Sequence, residues 1–108
     1  MQYNTYMTTE NLIVTHARAR FDHTAAKLVL QEKYQGKLTF AHNGGMWKAG
    51  PELLATLAAC AGPTAVILDL YDTPIKVDSR EFRDLVRERW QEQMNAWLVE
   101  HDELSKKR

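Results

Sequence analysis

Residues 78–104, DSREFRDLVRERWQEQMNAWLVEHDEL, carry the longest uninterrupted helical period in the chain, and the shorter elements upstream have to pack against it. Asp78 can cap the helix with Glu81 three residues on, the spacing of a capping box, and Val77 and Phe82 fall at the two hydrophobic-staple positions. At about 100° per residue, Phe82, Leu85, Val86, Trp90, Met94, Trp97, Leu98 and Leu104 fill one face; Asp84, Arg87, Glu88, Gln91, Glu92 and Asn95 fill the other. Some 27 residues at about 1.5 Å each make a rod of about 40 Å. A compact chain of this length has a radius of gyration of about 13 Å and is about 34 Å across. The end of the rod, with Trp97, Leu98, His101 and Leu104, is therefore expected to leave the globule and pack on another subunit, making a homo-oligomer.

Upstream of the rod, two hairpins are predicted. In residues 37–49, Asn43 and Gly44 form the dipeptide that a type I′ turn requires, because both central residues need positive φ. That turn sets Phe40 opposite Trp47, Leu38 opposite Ala49, Thr39 opposite Lys48 and Ala41 opposite Met46. In residues 64–77, a two-residue loop at Asp72 and Thr73 sets Leu70 opposite Ile75, Leu68 opposite Val77 and Asp69 opposite Lys76. Between the hairpins, Gly50 and Pro51 open a short helix over 51–61 that Gly62 and Pro63 close.

The first third of the chain is less regular. Residues 1–11 are polar and aperiodic. Residues 12–21 alternate as a strand, with Ile13, Ala17, Ala19 and Phe21 on one side and Val14, His16, Arg18 and Arg20 on the other, either as a charged edge or as a phosphate-contacting row. Residues 24–35 read as a helix capped by Thr24 and ended by Gly36, with a hairpin through Gln35 and Gly36 as the alternative. The expected fold class is α+β: a small antiparallel sheet, a short helix and a long C-terminal helix, in a single domain over 1–108.

Composition bounds the chemistry. Lys and Arg balance Asp and Glu at 14 each, so the chain lacks the basic excess of a free-standing nucleic-acid binder unless its cations gather on one surface. Residues 11–50 do carry a balance of +4, and within them Arg18, Arg20, Lys37 and Lys48 are the candidate contacts to nucleic acid. The single Cys60 excludes an internal disulfide and suits a reducing, cytoplasmic setting. No apolar run has membrane-spanning length, since residues 53–70 are broken by Gly62, Pro63 and Asp69.

His16, His23, His42 and His101 are scattered, which argues against a metal centre, and no cofactor motif is present. The run Asn43, Gly44, Gly45 lies between strands, where a phosphate loop needs a helix to follow. Asp69 and Asp72 could form a carboxylate pair, but an ion pair with Lys76 and a turn-forming aspartate explain them more simply. No catalytic residue is assigned, and an enzyme is not expected.

Over residues 38–108, the runs LTFAHNGGMWKAGPELLATL, ILDLYDTPIKVD and RERWQEQMNAWLVEH resemble small uncharacterised proteins of marine metagenomes and of tailed phages that infect marine cyanobacteria. The resemblance implies an Sm-like fold, a ring-shaped homo-oligomer such as a pentamer, and a role in binding RNA or single-stranded DNA in the host cytoplasm or in the virion. The sequence departs from that pattern in its helix after Pro51 and its long terminal helix, and it reaches five strands only by counting residues 12–21. No Sm-like RNA-pocket motif maps onto it. The alternative expectation is a structural or host-protein-binding module that assembles through the long helix.

Overall fold

A computed structural model of the chain describes residues 9–106, with side chains from residue 13 onward. The first eight residues of the aperiodic opening, and Lys107 and Arg108 of the basic tail, lie outside the described residues. In chain order the elements are α1 (Thr9–Leu38), β1 (Thr39–His42), β2 (Gly45–Lys48), α2 (Pro51–Ala58), β3 (Thr64–Leu68), β4 (Pro74–Asp78) and α3 (Ser79–Lys106). The α+β class follows.

The long C-terminal helix begins as its sequence specifies. The Glu81 amide donates to Asp78 Oδ1 at 2.9 Å, and the staple residues Val77 and Phe82 are both buried. The first hairpin keeps three of the predicted pairs in its ladder, and the fourth, Leu38 with Ala49, is joined just beyond it by a backbone hydrogen bond. Asn43 and Gly44 both have positive φ, the Ala49 amide donates to the Leu38 carbonyl, and Trp47 Nε1 closes the hairpin onto the His42 carbonyl at 2.9 Å. From this hairpin Phe40 and Trp47 reach Phe82, their ring centres 6.1 and 5.0 Å away. Leu57 of α2, Ile67 of β3 and Val86 of α3 complete the same core.

Three expectations are corrected. The second hairpin pairs Ile67 with Ile75, Val66 with Lys76 and Ala65 with Val77, a slip of three residues from the expected register. The cause is Asp69, whose carboxylate accepts the amides of Tyr71 and Thr73 and so builds a five-residue loop where two were expected. An odd slip reverses the faces, so Ala65 and Ile67 turn inward while Val66 and Leu68 are exposed. Next, α2 ends at Ala58 rather than 61, where the Cys60 amide already turns back to the Leu57 carbonyl. Finally, the expected strand 12–21 and helix 24–35 are one continuous helix, α1, which runs through Thr24 and Gly36 to Leu38. Ile13, Ala17 and Phe21 are four residues apart, an interval that keeps one face of a strand and nearly one face of a helix. With no Gly or Pro before Gly36, nothing stops the helix.

The described strands form two separate two-stranded sheets. That is four strands in two pieces, where an Sm-like core requires five in one bent sheet. The body they make sits at the base of α1 and α3, and the two helices leave it together as an arm. The resulting molecule is 79 × 25 × 20 Å with a radius of gyration of 22.0 Å, far longer than the sphere first expected.

Candidate functional site

The arm is built on a repeat that the terminal helix carries from its core end to its tip. Val86, Trp90, Gln93, Trp97, Glu100 and Leu104 recur in alternating steps of four and three, and each is buried or partly buried. Facing them, α1 presents His23, Ala26, Leu30, Tyr34 and Leu38. Arg89 Nε donates to the Lys37 carbonyl, Lys33 pairs with Glu100 at 2.7 Å, and Leu104 lies beside Ala26, so the helices run antiparallel. Tyr34 stacks on Trp97 with ring centres 5.7 Å apart and planes 7° from parallel. The hydrogen bond that Lys33 donates to Glu100 holds the Lys33 ammonium above its usual pKa, and the same bond holds the Glu100 carboxyl below its own.

Along one side of this seam runs an open groove of about 750 Å³. Its floor is apolar, from Met94, Trp97 and Leu98 of α3 and Leu28 of α1. Arg20, Lys27 and His101 stand on its rim, and none of the lining residues described is acidic. Leu98 is 59% and Leu28 54% exposed, which leaves large hydrophobic side chains in water inside a concave surface.

A second apolar line on α1 continues the groove toward the arm's tip. Ile13, Ala17, Phe21, Thr24 and Leu28 follow one another in steps of four, four, three and four, and Ile13 and Phe21 are 60% and 72% exposed. The helix therefore has two apolar seams, one filled by α3 and one facing outward. Leu104 near the end of α3 lies against Ala19, His23 and Ala26, so the first turns of α1, with Ile13, run on past it.

The structure brings together only part of what the sequence singled out. Leu98 and His101 line the groove, while Trp97 is largely spent on Tyr34 and Leu104 on α1. The greasy end of α3 is thus half sheltered by its own chain, which the sequence reading did not foresee. Of the four candidate cations, Arg20 is on the groove and Arg18 is exposed elsewhere on α1. Lys37 sits about 25 Å further along the helix, over the Tyr34 ring, and Lys48 lines a separate hollow of about 330 Å³ on the body. They form no single patch. Met94, Leu28, Phe21 and Lys27 were missed as site residues; the spacing of Ile13, Phe21 and Leu28 is the signal that identifies them, once the segment is read as helix.

Elsewhere the polar groups serve the fold. Asp69 is buried, and besides Tyr71 and Thr73 it accepts the Met46 amide at 3.0 Å, so both carboxylate oxygens bind backbone and none reaches Lys76. The Thr73 amide first, then that of Met46, lowers its pKa. Cys60 Sγ points to the Thr56 carbonyl, and no group of three His, Cys, Asp or Glu among the described residues could hold a metal. No described helix is long and apolar enough to cross a membrane. No protein-family model matches the chain, and no curated protein or solved structure is similar to it.

Proposed function

We propose that this protein is an assembly module, a non-catalytic part whose two-helix arm docks a further helix while the body holds α1 and α3 in register. One observation carries the reading: the outward seam of α1 and the groove beside Leu98 make one continuous apolar surface at coiled-coil spacing. Such a surface suits a helix, either from a second copy or from a host protein. The assembly needs no Sm-like ring, because helices rather than strand edges make the contact. The test uses Leu28→Glu and Leu98→Glu, two exposed positions outside the buried seam between α1 and α3. Light scattering and capture from host lysate, with wild type beside the variants, should show an association that both variants lose by about tenfold or more. If the wild type stays monomeric and no captured protein responds to either substitution, the reading is wrong.

Binding of RNA or single-stranded DNA is the second reading, supported by Arg20 and Lys27 on a rim without acidic neighbours among its described lining residues. Its test is oligonucleotide binding at low and physiological salt, with Arg20→Ala and Lys27→Ala. Absence of binding at low salt removes it.

A further inference from the structure

Resting on the assembly reading, we infer that the groove's occupant is α1 of a second copy, packed antiparallel about a two-fold axis beside Arg20 and Phe21. Three observations support this choice.

The first is spacing. Reversing the outward seam about a point between Arg20 and Phe21 sets Ile13 opposite Leu28 of the second copy and Ala17 opposite Thr24, four of its five positions, while Phe21 falls opposite Arg20. A two-fold contact requires this self-complementarity. Arg20 of each copy is then set against Phe21 of the other, an arrangement a guanidinium tolerates on an aromatic face.

The second is length. The first turns of α1 run past the end of their own α3 and carry an exposed Ile13. A helical segment so short is marginal in water on its own. In the antiparallel pair it lies at the mouth of the other copy's groove, next to Leu28 and His101 and toward Leu98. Overhang and groove thus complete each other, and four helices form one bundle.

The third is area. With the axis beside Arg20 and Phe21, the two α1 helices overlap over residues 9–32, about 36 Å, and at the molecule's 20 Å width this face covers roughly 700 Å² per copy, near the ~800 Å² per partner of a stable interface.

The experiment is disulfide mapping on the full chain in a Cys60→Ser background. Ile13→Cys and Leu28→Cys proteins, prepared separately, are mixed and oxidised, with Val29→Cys as a control because Val29 lines the opposite side of the arm. The expected product is a mixed dimer joining position 13 of one chain to 28 of the other, at least about tenfold over the Val29→Cys homodimer, since a disulfide requires Cα atoms within about 7 Å. Wild-type light scattering should give the mass of two chains. Homodimers at position 13 with no mixed species would show a parallel pairing and overturn the inference while leaving the assembly reading standing. A monomeric wild type whose host-lysate capture still depends on Leu28 and Leu98 has the same consequence, and names a host helix as the occupant. A monomer with no such capture sinks both.

Discussion

Asp69 is the residue on which the two hairpins depend. Its carboxylate shapes the loop of one through Tyr71 and Thr73 and fastens it to the other through Met46, whose carbonyl in turn accepts the Leu70 amide at 2.9 Å. Asp69→Asn preserves one acceptor but sets an amide NH₂ against the Met46 N–H, leaving buried donors face to face. We expect a lower urea midpoint with an unchanged slope. The pH dependence has a defined sign. Because the folded state lowers the Asp69 pKa, its stabilisation is complete above the ordinary carboxylate range and is lost as pH falls through the depressed folded value. Urea midpoints measured from about pH 7 to about pH 2 should therefore fall less steeply in Asp69→Asn than in wild type. Parallel curves would contradict the assigned role.

At the scale of elements, the pairing of α1 with α3 rests on packing more than on charge. Tyr34 is almost fully covered where it stacks on Trp97, whereas the Lys33 and Glu100 side chains remain 44% and 34% exposed. A half-exposed ion pair contributes little, because water already satisfies both charges and salt screens them. Trp97→Ala should cost about 2 kcal/mol, from lost burial and a lost ring stack, while Glu100→Gln should hardly move the transition. Amide exchange should show where: the arm helices lose protection, and the body around Phe82 and Trp47 keeps it. Equal losses in both regions would mean that arm and body unfold as one unit.

For the whole molecule, shape and association are linked. One copy has a radius of gyration of 22.0 Å, against about 13 Å for a compact chain of its length. Small-angle scattering of Leu28→Glu should recover a value near that of the single copy, since the substitution puts charge on the exposed seam and leaves the internal one alone. Wild type at rising concentration should show a greater mass, with the arms overlapped. A compact particle near the smaller value would mean that the arm folds back on the body.

How much of this was legible depends on whether a feature was local. The cap at Asp78, the staple at Val77 and Phe82, and the register set by Asn43 and Gly44 were all readable, because each is decided by residues within one turn of helix or one hairpin. The second hairpin slipped because the lone pairs of Asp69 found backbone donors, including one on a strand 23 residues away, that no local pairing rule counts. The nature of residues 12–21 was undecidable from spacing alone, since steps of four satisfy both periods; α3 anchors α1 further along, at His23, Ala26, Leu30 and Tyr34, and the helix propagates from there into the exposed turns because no Gly or Pro interrupts it. The same holds for the site. Sequence alone determined that α3 is a long amphipathic helix with more apolar surface than its own body could cover. Tertiary structure decided which of that surface α1 takes, Trp97 inward and Leu98 outward, because burial is a property of pairs of elements and becomes visible only once both are in place.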